Sequence, residues 1–339
     1  MKEVCRSLLF TKTPLKGGFG FKHHFQVYPC PFPNAPQSKQ ADNPVVVEFW
    51  VDDKENPDVD PDIPADLKDK FGFAANRQNR ATRISRLLSA LTNHRFAVHD
   101  APSHRWGWQW PKDGEKATNS PSVVYLDWYD YPEMQLDLSI ERMVPAQFDE
   151  APLVPHKEYY TNNPVEGRHL EIKFSDETWR MLNNYFAMDA SSRQRVDTVA
   201  HLICNGLDLQ EKMKSLSFLA FVSSIETLSS YHYQHDKAKT CPSCSQPVWE
   251  VGKKFRTFLE TFVSPHKDSV KDYKRVYDLR SKIVHSGALL LGDEERVWLR
   301  NDEPTEEGLL HINARQLARL ALANWLGMSA KPTDKPQFA

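Results

Sequence analysis

One arginine sits where the pattern around it calls for an apolar residue. Between Asp268 and Ser286, the residues Tyr273, Val276, Tyr277, Ile283 and Val284 recur at helical spacing and form a single stripe. Arg280 falls on that stripe, between its two apolar clusters. An unpaired guanidinium inside a packed bundle is very costly, so Arg280 calls for a carboxylate, a phosphate or a cleft. The neighbouring face carries Asp278, Ser281 and His285 at i, i+3 and i+7, a spacing at which Ser281 or Asp278 can orient the imidazole. Gly287 is placed to end the helix as a left-handed cap.

A partner for Arg280 is available upstream. The stretch from Leu209 to Asp236 is apolar nearly all round and predicts a central bundle helix, with Glu226 inside it. A buried carboxylate and a buried guanidinium in one bundle are natural partners, although a surface position for Glu226 stays open. If the helices alternate in direction, Asp236 and Ser286 share one end of the bundle. A rise of about 1.5 Å per residue then brings Glu226 near the level of Arg280. Further helices are predicted over 176–187, with Asp176 as N-cap, and over 191–205, 249–263 and 312–326.

The first half reads differently. Residues 1–75 are irregular and β-rich, with a strand at 45–51, and a helix follows at 80–93. Lys16 to Lys22 holds three glycines without phosphate-loop spacing, which predicts a glycine turn between short strands. The acidic run 52–62 lacks the glycine and closing glutamate of a calcium loop and reads as a solvated loop. Trp106, Trp108 and Trp110 alternate along a strand that pairs with 123–129, as a packed sheet face or as a base-stacking platform. The fold class is therefore α+β: a β-rich domain over 1–150, a proline-bearing linker or arm over 151–175, and a helical bundle over 176–330.

His232, His235, Cys241 and Cys244 are four ligands of structural zinc type, with the Cys-Pro-Ser-Cys knuckle compact enough to chelate one ion. A turn with two reduced thiols is the alternative. Five cysteines with one close pair suit a reducing cytosol, so a cytoplasmic location is expected. No apolar run reaches membrane-spanning length, and Met1 to Arg6 does not read as the start of a signal peptide. The net charge of −2 gives no global attraction to nucleic acid. Local cations can hold an RNA backbone: Lys271, Lys274, Arg275 and Lys282, with Lys253, Lys254 and Arg256 on the preceding helix.

Arg280, Ser281 and His285 resemble the R-x4-6-H signature of the HEPN superfamily. The run from Leu216 through Glu226 and Cys241-Pro-Ser-Cys244 to His285-Ser-Gly looks like its Apea-like branch. The resemblance covers about the last two-fifths of the chain. It implies a metal-independent endoribonuclease, with Arg280, His285, Ser281 and Glu226 in the site and no catalytic metal. Arg280 and His285 lie five residues apart and diverge by about 140° on an ideal helix. Either the helix distorts near Gly287 or a second copy completes the site across a two-fold axis; the resemblance implies the homodimer. It further implies a toxin-like effector of bacterial anti-phage defence, whose N-terminal domain meets a phage-derived trigger, a partner protein or the RNA. A non-catalytic HEPN module that binds RNA or protein is the alternative. A purely structural zinc-stapled bundle leaves Arg280 unexplained.

Overall fold

The computed structural model describes residues 2–22, 24–31, 43–52, 65–92, 94–98, 107–108, 124–125, 148–161, 171–235, 239–240, 243, 247–248, 250–291, 293 and 306–328. The chain forms two compact units, one of residues 1–88, 94–153 and 164–174, the other of 89–93, 154–163 and 175–339.

The first unit is built on a four-stranded antiparallel sheet of β1 (Lys2–Thr11), β2 (Phe19–Phe21), β3 (Phe25–Pro29) and β4 (Asn43–Asp52), in the order β1-β4-β3-β2. Strand pleating sends alternate side chains to opposite faces. Cys5, Leu9, Phe25, Val27, Val45, Val47 and Phe49 share one face and are fully buried. The opposite face buries polar groups, because Arg6 and Gln26 both register against Glu48. Arg6 Nε lies 2.5 Å from Glu48 Oε1, Tyr28 donates to the same oxygen at 2.7 Å, and Gln26 donates to Oε2. Burial, and then the Glu48 carboxylate, raises the Tyr28 phenol far above its usual range.

The chain bends at Gly17, just before β2, and this glycine has a packing reason. A Cβ on Gly17 would lie 2.7 Å from Ala151 N, and Gly18 N donates to Asp149 O at 2.8 Å. The helix expected at 80–93 is α1 (Ala65–Leu91), much longer at its N-terminal end. Ala81, Ile84, Leu87 and Leu88 form the buried stripe of its second half. Gly107–Trp108 pairs antiparallel with Val124–Tyr125. Trp106, Trp110 and the acidic residues 53–62 lie outside the described residues.

The second unit is helical: α2 (His156–Thr161), α3 (Thr178–Ala187), α4 (Ala190–Leu209), α5 (Lys214–His232), α6 (Val251–Phe262), α7 (Lys267–Ser286) and α8 (Glu306–Met328). Asp176 does not cap α3. Its carboxylate accepts from His156 N at 2.8 Å, at the start of α2, while the α3 cap residue Glu177 makes no side-chain cap bond. The helix expected from Leu209 starts at Lys214, after a tight turn in which Lys212 N and Met213 N both bond to Leu209 O. Helices α4 and α5 approach closely at Gly206, where a Cβ would meet the Phe221 ring at 2.5 Å. There Ser217 Oγ donates to Gly206 O at 2.6 Å and lies 2.8 Å from His311 Nε2. Burial, reinforced by the charges of Arg315 and Lys214, pushes the His311 pKa down to about 4. Among the described residues, no helix is long and apolar enough to cross a membrane.

Candidate functional site

Helix α7 buries Tyr273, Val276, Leu279 and Ile283 and ends at Gly287, whose φ of 66° is the left-handed cap. Leu279 thus replaces Val284 on the buried stripe, since Val284 is 47 % exposed. Arg280 lies at the edge of the stripe, its side chain 24 % exposed, and meets Glu226 of α5, 14 % exposed. The pair is side-on. Nη2 donates to Oε2 at 3.2 Å, and Nε lies 3.2 Å from Oε1 in a less well aligned ion contact. Burial raises the Glu226 pKa above the usual carboxylate value, and the Arg280 charge pulls against that shift without cancelling it. The guanidinium carbon also stands 6.0 Å from the Tyr277 ring centroid. The Nη1 edge of Arg280 has no protein partner among the described residues.

Tyr277 is fixed from the other side by α6. A Cβ on Gly252 would lie 2.8 Å from the Tyr277 ring, and Phe255 packs on it at 5.2 Å between centroids. The glycine lets α6 approach the aromatic that flanks Arg280. Burial and the Glu226 carboxylate together raise the Tyr277 phenol pKa, against the charges of Arg280 and Arg256.

The pair forms without the shared helix ends on which its level was reasoned. After Gly287 the chain runs to the N-terminus of α5: Leu290 N donates to Ser215 Oγ at 2.8 Å, and Asp293 accepts from Lys214 N at 2.7 Å and Ser215 N at 2.6 Å. Asp293 is thus an N-cap supplied from a distant segment. Burial pushes its pKa up, but the Ser215 and Lys214 hydrogen bonds outweigh that and hold it below the usual range.

His285 is exposed on the last turn of α7. Neither Ser281 nor Asp278 bonds to it; all three lack a hydrogen-bond partner among the described residues. The cations expected on RNA are partly neutralised within the chain. Lys271 pairs with Asp268 at 3.0 Å, and Arg275 with Asp272 at 3.0 Å and Glu306 at 2.5 Å. Lys282 acts on the same Glu306 carboxylate. Lys274 has no partner among the described residues.

Cys241 and Cys244 lie outside the described residues. His232 does not fit a zinc ligand in this arrangement. Trp325 Nε1 donates to His232 Nδ1 at 3.3 Å, which places the imidazole proton on Nε2, whereas a ligating histidine donates its second N–H outward. Its ring also stands edge-on to Tyr233, Phe258 and Phe262, on a residue that is exposed. His235 is exposed, and no group of three or more metal-ligating side chains occurs among the described residues.

Glu226 also walls a cleft of about 590 Å³, together with Arg195 of α4, Ser223, Thr227, Ser230 and Tyr231 of α5, Gln234, and Val251 of α6. Sequence reading missed Arg195, Tyr231, Gln234, Gly252 and Asp293. Gly252 inside an amphipathic helix was a usable signal of close approach; the others depend on packing between helices. No family model matches the chain, and no curated protein or solved structure matches it, so the resemblance to HEPN rests on the quoted residues alone.

Proposed function

We propose that the helical unit is a metal-independent endoribonuclease that acts as a homodimer on RNA in the cytoplasm. One observation carries the reading: Glu226 holds the Arg280 guanidinium side-on with its Nη1 edge open, five residues before a solvent-facing imidazole at the helix end. A pre-oriented guanidinium is suited to a phosphate whose charge grows in the transition state. In this mechanism His285 of one copy accepts the ribose 2′-hydroxyl proton as O2′ attacks phosphorus. Arg280 of the second copy stabilises the phosphorane oxygens, the P–O5′ bond breaks, and the leaving O5′ takes the proton back from the same imidazolium through a water. The products are a 2′,3′-cyclic phosphate and a 5′-hydroxyl. The resemblance adds the biological setting, an effector of bacterial anti-phage defence whose first unit receives a phage-derived trigger. A zinc on Cys241 and Cys244 belongs to the same reading as a structural staple; elemental analysis finding no stoichiometric metal would remove it.

The test is purified protein incubated with mixed RNAs and a chelator, with the cut ends mapped. His285→Ala is expected to slow cutting by about 10²–10⁴-fold. Mixing His285→Ala with Arg280→Ala chains regains partial activity if one site draws on two copies. A wild-type rate no faster than that of His285→Ala refutes catalysis. A non-catalytic RNA- or protein-binding module is the second reading. It is favoured by the internal pairing of Lys271 and Arg275 and by the unoriented imidazole of His285. RNA retained but uncut in the same assay supports it.

A further inference from the structure

The cleft beside Glu226 combines an exposed cation with polar side chains that have no partner among the described residues. Several other cations of the unit pair with acids of their own chain: Lys253 with Glu250, Lys271 with Asp268, Arg275 with Asp272 and Glu306. Arg195, in the cleft wall, has no hydrogen-bond or ion-pair partner among the described residues, and neither do the side chains of Ser223, Ser230 and Gln234. The volume of about 590 Å³ falls within the roughly 300–1,000 Å³ of small-molecule sites.

We propose that this cleft binds one nucleotide of an RNA strand; the inference rests on the nuclease reading for its choice of substrate. Each part of a nucleotide has a matching group. Arg195, unpaired among the described residues, offers a guanidinium for the phosphate. Ser223, Thr227 and Ser230 follow one another at i, i+4 and i+7 along α5 and offer a line of hydroxyls to the ribose. Thr227 Oγ1 already donates to Ser223 O at 2.8 Å, so it stands ready as an acceptor for a sugar hydroxyl. The Gln234 carboxamide has the donor-acceptor pair that reads a base edge. Tyr231 supplies a rigid aromatic surface. Its hydroxyl lies 2.6 Å from Ser192 Oγ, which Asp189 holds in turn, and its ring sets edge-on to Trp325 at 6.0 Å. Val251 adds an apolar side chain to the lining. The shared Glu226 wall puts the bound nucleotide next to Arg280, as a residue flanking the cut phosphate would be.

The test titrates the intact protein with AMP, GMP, CMP, UMP and inorganic phosphate by calorimetry, with Arg195→Gln and Gln234→Ala alongside. At least one nucleotide is expected to bind ten times more tightly than phosphate. Arg195→Gln weakens all four nucleotides together, whereas Gln234→Ala weakens one base over the others by about five- to a hundredfold. Nucleotides binding no tighter than phosphate, or unchanged in both variants, overturn the assignment. The two readings fail separately. Selective nucleotide binding by a protein that cuts no RNA leaves the cleft standing and removes the nuclease. RNA cutting at unchanged positions by both variants leaves the nuclease and removes the cleft.

Discussion

Replacing Arg280 with methionine keeps most of the stem and deletes the charge, and it isolates what the Glu226 pair is worth. Fully buried pairs broken on one side cost about 3–5 kcal/mol, and exposed pairs about 1 kcal/mol or less. With side chains 24 % and 14 % exposed, this pair lies between those limits, so a loss of about 2 kcal/mol is expected. Because the chain has two units, a single global unfolding transition is a poor reporter. Amide hydrogen exchange of α5 and α7 reads the local stability instead. A loss of about 2 kcal/mol corresponds to exchange about 30-fold faster than wild type at pH 7.5.

The pH dependence has a definite sign. Burial raises the folded Glu226 pKa above its unfolded value, and removing Arg280 raises it further. The folded state then binds this proton more tightly than the unfolded state, so stability declines as pH rises through the raised pKa and recovers as pH falls. The ratio of variant to wild-type exchange rates should therefore shrink between pH 7.5 and pH 5. Glu226→Gln, which keeps an acceptor for Nη2, costs less, about 1 kcal/mol. A ratio within about twofold of unity at pH 7.5, or one that grows as pH falls, refutes the argument that the pair is both buried and charged.

His311 gives a second pH signature. Its pKa is depressed from 6.5 to about 4, so the second unit should lose stability as pH falls through that window, by at most about 3 kcal/mol, and His311→Gln should flatten the profile in acid-denaturation curves. Gly252→Ala places a Cβ 2.8 Å from the Tyr277 ring and is expected to cost about 1–3 kcal/mol, seen as faster exchange in α6 and α7. Asp293→Ala removes the acceptor of two α5 amides and should cost about 1 kcal/mol, with faster exchange at Lys214 and Ser215.

The helical unit was readable where periodicity carried the signal. The α7 stripe, its Gly287 cap and the Glu226–Arg280 pair all follow from placing a charge on an apolar face. The reading failed where one turn of helix decided the outcome. Leu279 and Val284 lie five residues apart, about 140° round the helix on opposite edges of the stripe, and only packing selects Leu279 for burial. The part of α1 over residues 65–79 was not read as helix. Asp176 has the right residue type for a cap, but its carboxylate serves His156, 20 residues away in sequence. Contacts such as Asp293 with the α5 amides depend on where a loop returns, which local pattern does not encode.

The double membership of Glu226 has a thermodynamic consequence. The same carboxylate holds Arg280 and forms part of the cleft wall. Any ligand in the cleft that donates hydrogen bonds to Glu226 changes how firmly Arg280 is held. By linkage, an anion on Arg280 must change the affinity of the cleft by the same factor. The two positions are then one coupled unit, and occupancy of either sets the readiness of the other.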